Sequence, residues 1–159
     1  MRTEDKYDSL FQYYGWHSGV DWLMLKAQAR AESDFDPRAI SPAGARGLTQ
    51  FMPATWEWAI EMKWIPASAD IFNPEHSIQA QAANMDWLLK QFKGDSSRAL
   101  AAYNWGIGNL RNAMRKAPGA KREEGNWVEQ LPEETQNYLK RISENYTSYK
   151  NESSSMARV

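Results

Sequence analysis

Val20-Asp-Trp-Leu-Met-Leu-Lys-Ala-Gln-Ala-Arg-Ala-Glu32-Ser33 places apolar residues at helical spacing. It runs straight into Asp36-Pro37-Arg-Ala-Ile-Ser41-Pro-Ala-Gly44-Ala-Arg-Gly47-Leu-Thr-Gln50-Phe-Met52-Pro-Ala-Thr55, a stretch of small residues, prolines and glycines. The first run predicts a helix begun around Ser18 or Gly19. It stops near Asp36-Pro37, because a residue before proline avoids the helical region. On that helix Leu25, Ala29 and Glu32 share one face. The Glu32 carboxylate is then held against apolar side chains in the last turn, where the negative end of the helix dipole disfavours a further negative charge. Both effects raise a carboxyl pKa, as a proton donor near neutral pH requires. Read from the helix alone, Glu32 is more simply a solvated glutamate at a frayed helix end, and it is the residues after it that point to chemistry.

Outward from this stretch the pattern stays helical. A first helix is expected over Thr3 to Tyr14, ending near Gly15. Residues 39 to 50 read as turns with at most a short β-hairpin. A third helix is expected from about Pro53 to Met62, and Ile65 to Asn73 reads as a connector. Asn73 and Pro74 suit the cap and first position of the next helix. Its stripe is Ile78, Ala82, Met85, Leu88, Leu89 and Phe92. Gly94-Asp95 breaks it, and Ser96 or Ser97 opens a helix containing Ala99 to Tyr103. A turn over Asn104 to Gly108, an amphipathic segment from Asn109 to Lys116 and a polar loop from Ala117 to Gly125 follow. The last helix is expected over Pro132 to Tyr149, inside a single domain of residues 1 to 150. Residues 151 to 159, with Ser153-Ser-Ser155, read as a disordered tail. The fold class is therefore mainly α.

With 159 residues and 18.3 kDa the chain can bury a single core. A net charge of −1 and a pI near 6.1 argue against nucleic acid as a partner, which selects a basic face. The eight Trp and seven Tyr are many, but packing is the first use of such residues. The chain has no cysteine, so the fold needs no disulfide. Met1 to Ser9 carries charges where a signal peptide has its apolar core, and no stretch approaches a membrane span. No stable membrane insertion is expected.

Three stretches, in order, carry a family resemblance. Glu32-Ser33-Asp-Phe35-Asp-Pro37-Arg-Ala39-Ile-Ser41-Pro-Ala-Gly44-Ala45-Arg-Gly47-Leu48-Thr49-Gln50-Phe51-Met52-Pro53-Ala-Thr55 is the first. Ala102-Tyr103-Asn104-Trp105-Gly106-Ile-Gly108 is the second, and Glu134-Thr135-Gln-Asn-Tyr138-Leu-Lys-Arg141-Ile142 the third. Together they resemble the signatures of soluble lytic transglycosylases, relatives of goose-type lysozyme that cut the glycan strands of peptidoglycan. The resemblance covers about Val20 to Ile142. It implies a lysozyme-like α+β fold, a helical bundle around a glycan groove, and one catalytic glutamate. By that likeness Glu32 protonates the oxygen between N-acetylmuramic acid and N-acetylglucosamine. The substrate's acetamido carbonyl then traps the anomeric carbon. Ionised Glu32 finally takes the proton of the C6 hydroxyl, closing a 1,6-anhydro ring.

The same resemblance implies substrate-binding roles for Ser41 at the N-acetyl group, for Gln50 and Met52 along the glycan, and for Tyr103 and Asn104 beside the acid. It implies contacts also for Glu134 and Tyr138. Each has a plainer reading: Ser41 as a turn residue, Gln50 as a cap, the tyrosines as core, Glu134 as a helix cap or a solvated side chain. Gly44 and Gly47 read as structural. Thr49 stands where the family commonly has Met, and Trp105 where it commonly has Ala. The second departure bears on subsite preference.

His17 and His76 have no neighbours at ligand spacing, so no metal and no cofactor are expected. Gly106-Ile-Gly108 follows a helical run rather than a strand, which argues against a phosphate loop. Two other readings compete. A water-using muramidase would need a second carboxylate, for which Asp70, Glu75, Asp86 and Asp95 are candidates. A catalytically silent wall-binding or virion module would keep the fold without the chemistry. Absence of a visible export signal suggests a phage endolysin, made in the host cytoplasm as a monomer and released through a holin pore to reach the wall.

Overall fold

Helix boundaries in the chain are set by a few side chains and by contacts distant in sequence. The computed structural model describes residues 2–116 and 127–157; the polar loop expected from Ala117 to Gly125 lies outside them. A 3-10 turn over Thr3–Asp5 leads into α1, Asp8–Ser18. Helix α1 does not end at Gly15, as expected, but passes through it. A Cβ there would lie 2.8 Å from the Val20 carbonyl oxygen and 3.0 Å from the Trp22 Cβ, so the missing side chain lets the next segment approach. The helix ends instead at Gly19, whose φ of 70° is the left-handed stop.

Helix α2, Trp22–Ser33, is capped by Asp21, whose carboxylate accepts from the Leu23 amide at 3.0 Å. Helix α3, Pro53–Glu61, has proline in its first turn. Helix α4, Pro74–Gln91, opens as the sequence predicts, with the Asn73 side chain accepting from the His76 amide at 3.0 Å. Helix α5, Ser96–Trp105, is capped by Asp95. The turn expected over Asn104 to Gly108 shrinks to Gly106 (φ 98°), and α6 is Ile107–Lys116. Helix α7, Glu133–Ala157, runs through Ser153 to Ser155, where a disordered tail was expected. Among the described residues there is no strand. Two isolated antiparallel bridges, Ile40–Arg46 and Arg46–Phe51, take the place of the hairpin. The fold is mainly α, and no described helix is long and apolar enough to cross a membrane.

The chain forms two compact units. The first is Met1–Asp86 with Ile142–Val159, and the second is Trp87–Arg141. In the first, Phe11, Leu25, Ala29, Leu48, Ile78 and Met85 are fully buried. Each large apolar side chain contributes about 1.5–3 kcal/mol by leaving water. Lys26 on α2 is buried too, which is tolerable because it is paired. Its Nζ lies 2.7 Å from Asp5 and 2.9 Å from Asp8, and 4.5 Å from the Tyr149 ring centroid. In the second unit Ala99, Leu100, Leu110, Trp127, Leu131 and Tyr138 are buried.

Candidate active site

In the first unit, the chain reverses immediately after Glu32. Asp34 (φ 52°) and Phe35 (φ 63°) both adopt left-handed backbone, a costly choice for residues with a Cβ. Burial of the Phe35 ring, edge-on to Phe11 with centroids 6.4 Å apart, offsets that cost. The Asp34 amide closes the last turn onto the Arg30 carbonyl at 2.9 Å. Ser33 Oγ donates to the Leu48 carbonyl at 2.7 Å, which ties the helix end to the loop that follows. Glu32 is half-buried, and the three residues below it on its face, Leu25, Gln28 and Ala29, are fully buried. The carboxyl thus sits where a helix end meets a core, as the spacing predicts.

The loop is built from its own hydrogen bonds. Ser41 Oγ accepts from the Ala45 amide at 3.0 Å, and the Ser41 amide donates to the Ala45 carbonyl at 2.9 Å. Gln50, itself left-handed (φ 56°), donates through Nε2 to the carbonyls of Gly47 (2.9 Å) and Ala39 (3.2 Å). Both polar groups are therefore employed in shaping the loop, Ser41 as a turn residue and Gln50 by bridging two loop carbonyls rather than by capping a helix. Gly47 (φ 84°) must be glycine, since a Cβ would fall 2.2 Å from the Ile71 carbonyl oxygen. Met52, at the cap position of α3, is 42 % exposed and open to a ligand.

In the second unit, Tyr103 and Asn104 occupy the last turn of α5, both half-buried. Asn104 Oδ1 accepts from Thr135 Oγ1 at 2.9 Å, so the second and third signatures meet through a buried threonine. Glu134 is exposed in the first turn of α7, where the positive end of the helix dipole favours its charge. Tyr138, one turn on, is buried. Asn109 Nδ2 donates to the Trp105 carbonyl at 2.7 Å and braces the Gly106 break.

Among the candidates for a second carboxylate, Asp70 and Asp95 have local tasks. Asp70 Oδ1 accepts from the Phe72 amide at 2.9 Å, and Asp95 Oδ1 caps α5 by accepting from the Arg98 amide at 3.1 Å. Glu75 is exposed in the first turn of α4, and Asp86 is half-buried.

One feature of this region escapes the sequence reading. A polar layer, Gln28, Thr49, Ser77 and Gln81, is fully buried between α2, the loop and α4. Thr49 Oγ1 lies 2.7 Å from Ser77 Oγ, and the Thr49 amide donates to Ser77 Oγ at 3.2 Å. Gln81 Nε2 donates to Gln28 Oε1 at 2.9 Å and to the Leu25 carbonyl at 3.0 Å. A signal existed in the glutamine one turn before Glu32 on an otherwise apolar face, and in Thr49 where the family text has Met.

Comparison with known proteins agrees with the family that the signatures resemble. The family model described as the transglycosylase SLT domain matches residues 9–126. The membrane-bound lytic murein transglycosylase F of Haemophilus influenzae (strain PittEE) is 35% identical over 133 residues, covering 80% of this chain and 26% of that protein. The peptidoglycan transglycosylase gp16 of Escherichia phage T7 is 34% identical over 137 residues, covering 86% of this chain and 10% of that protein. Among solved structures, an inactive mutant of the lytic transglycosylase Slt from Pseudomonas aeruginosa superposes with a TM-score of 0.81 at 25% identity. It covers 93% of this chain and 24% of that one. The chain thus spans about a quarter or less of the length of these relatives.

Proposed function

Because the chain belongs to the transglycosylase SLT domain family, we propose that it is a peptidoglycan lytic transglycosylase with Glu32 as its catalytic acid and base. The observation that carries this reading is the setting of Glu32. The residue stands half-buried on the last turn of α2 above Leu25, Gln28 and Ala29, with Ser33 fastened to Leu48 beside it. A desolvated carboxyl at a helix C-terminus favours the protonated form that must begin the reaction. The proton passes from Glu32 to the glycosidic oxygen between N-acetylmuramic acid and N-acetylglucosamine as the C1–O4 bond breaks. The acetamido oxygen of the muramic residue holds C1 as an oxazolinium ion. Glu32, now ionised, takes the C6 hydroxyl proton while O6 attacks C1, releasing the acetamido oxygen and leaving a 1,6-anhydro end.

Ser41, Gln50, Met52, Tyr103, Asn104 and Glu134 are the substrate-binding residues of this proposal, and Tyr138, expected to contact substrate, is buried and can serve only as an aromatic support behind them. Met52, with its soft thioether exposed, suits an apolar sugar face. Ser41 and Gln50 also hydrogen-bond within the loop, which fixes the positions from which they would meet the N-acetyl group and the glycan. A role in phage-induced lysis of the host, as a monomer released through a holin pore, is the biological reading; the likeness to the peptidoglycan transglycosylase of phage T7 supports its phage setting.

The test is digestion of purified sacculi followed by mass spectrometry of the soluble muropeptides, with Glu32→Gln as the blank. Products ending in 1,6-anhydro-N-acetylmuramic acid, absent from the blank, are expected. Reducing ends would replace the reading with a muramidase, and release of nothing by the wild-type chain would leave a silent module.

A further inference from the structure

Gln28 and Gln81 are both fully buried, and their carboxamides are hydrogen-bonded to each other. The orientation of the pair is fixed by the backbone. Gln81 donates from Nε2 to the Leu25 carbonyl at 3.0 Å as well as to Gln28 Oε1 at 2.9 Å. Turning the Gln81 amide over would set its oxygen against a carbonyl oxygen, so Gln28 must present its own oxygen to Gln81. The N–H edge of Gln28 is then turned away from Gln81. Gln28 is also the polar member of a face otherwise made of Leu25 and Ala29, one helical turn before Glu32.

The arrangement is a poor one for stability. Gln81 Oε1 is buried without a hydrogen-bond partner, and two apolar side chains of the same size would avoid that desolvation. Neighbouring charges do not account for it. Lys26 is paired with Asp5 and Asp8, and Arg30 faces Glu4 at 3.5 Å. In the loop and reversal Asp34, Asp36, Arg38 and Arg46 are exposed. On α4 Glu75 is exposed, Asp86 is half-buried, and His76 Nδ1 accepts from the Asp70 amide.

We propose that Gln28, held by Gln81 behind it, is a positioning residue of the catalytic site, its carboxamide N–H edge turned toward the Glu32 end of α2 to steady that carboxyl and favour its ionised form. The inference rests on Glu32 being the catalytic acid and base, and it supplies the half of that role the helix end does not. Burial and the dipole favour the protonated form that the first proton transfer needs. An amide dipole one turn below lets the same group exist as the base of the second, so the two influences set its titration between them.

The experiment is a titration of Glu32 followed by carboxyl NMR on protein labelled with 13C-glutamate, the Glu32 resonance being the one missing from Glu32→Gln. Gln28→Met keeps the volume and removes the amide. Its Glu32 midpoint is expected to rise by about one pH unit, since lost hydrogen bonding and added desolvation act in the same direction. Gln81→Met, which removes the orphaned oxygen, is expected to leave the melting temperature unchanged or higher while still raising the Glu32 midpoint. That separation of stability from titration is one a purely structural glutamine would not give. A midpoint in folded Gln28→Met equal to the wild type overturns the proposal. If that variant does not fold, the Gln81→Met midpoint decides by the same criterion. The titration requires no turnover, so a failure to release anhydro-muropeptides would count against the proposed function and not against this assignment.

Discussion

At the scale of single residues, Glu32 and Gly47 carry the plainest consequences. General acid–base catalysis by a positioned side chain contributes roughly 10²–10⁴-fold. Glu32→Gln is therefore expected to lower muropeptide release by at least about 10²-fold. Its melting temperature should stay near that of the wild type, because the exchange is isosteric and the residue is only half-buried. Equal activity of the two would show that another group moves the proton. The two glycines of the loop give an internal control on backbone geometry. At both positions φ is positive, 96° for Gly44 and 84° for Gly47. A Cβ at Gly44 meets nothing within 4 Å, whereas one at Gly47 meets the Ile71 carbonyl oxygen at 2.2 Å. Gly44→Ala should cost on the order of 1 kcal/mol in urea unfolding, from the left-handed backbone alone. Gly47→Ala should cost clearly more, with the loop displaced and activity lost. Similar losses for both would mean that Ile71 yields easily. The sequence marks both glycines as structural but cannot rank them, because the obstacle at Gly47 comes from a residue beyond α3.

At the scale of elements, what sequence reveals and what it conceals divide by distance along the chain. Asn73 and Pro74 open α4 because cap chemistry is local, whereas α2 ends at Ser33, short of the stop expected at Asp36-Pro37, where Asp34 and Phe35 turn left-handed and the Phe35 ring is buried against Phe11. The failure at Gly15 has a tertiary cause. Its own segment reads as a stop, but the close approach of Val20 and Trp22 needs a residue without a Cβ inside the helix. Helix α2 shows the same thing energetically. Lys26 reads as a solvated face of a helix, yet the fold buries it between Asp5, Asp8 and the Tyr149 ring. Burial pushes the Asp8 carboxyl up, against the pull of Lys26, while hydrogen bonds from Arg2 and then Lys26 hold Asp5 down. The linkage signs are opposite. A lowered Asp5 contributes stability that is present above its unfolded pKa and disappears as pH falls through its folded value. A raised Asp8 makes the folded state the stronger proton binder, so its contribution declines as pH rises from the unfolded carboxylate range through the folded value. Lys26→Met removes the partner of both and leaves Asp8 as an unpaired, partly buried carboxylate. At pH 7 the loss should be about 3 kcal/mol, the order seen when one partner of a buried pair is deleted. Because protonation relieves an unpaired carboxylate, the deficit should shrink toward pH 4. Urea unfolding at the two pH values checks this, and a deficit that does not change with pH would assign the loss to packing around Tyr149 instead.

At the scale of the whole molecule, the ends of the chain and the polar layer near Glu32 are the parts that periodicity could not supply. Motif text identified the helix end, the loop and the α5 and α7 signatures, since each is a run of adjacent residues. It gave no sign that Thr135 would be the buried link from α7 to Asn104, or that Gln81 would stand behind Gln28, because those pairs are separated by 31 and 53 residues. The same holds for residues 151 to 157, which read as part of a disordered tail but form the end of α7. What holds them is again remote. Arg2 reaches Glu152 at 2.9 Å, and Tyr149 is buried against Lys26 and Arg30 of α2. The two contacts differ in worth. Arg2 and Glu152 are 54% and 40% exposed as side chains, so their pair contributes at most about 1 kcal/mol and is screened by salt. Tyr149 is 3% exposed, and truncating a buried aromatic costs about 3–5 kcal/mol. Removing residues 151 to 159 should therefore lower the melting temperature by only a few degrees and spare muropeptide release. Removing residues 148 to 159 should destabilise the first unit severely, because the Tyr149 ring is then missing from above the Lys26 ammonium. Thermal unfolding of the two truncations decides the point. An equal fall in both would place the anchoring of α7 in its last turns, with Glu152 rather than Tyr149 as the residue that holds the end of the chain.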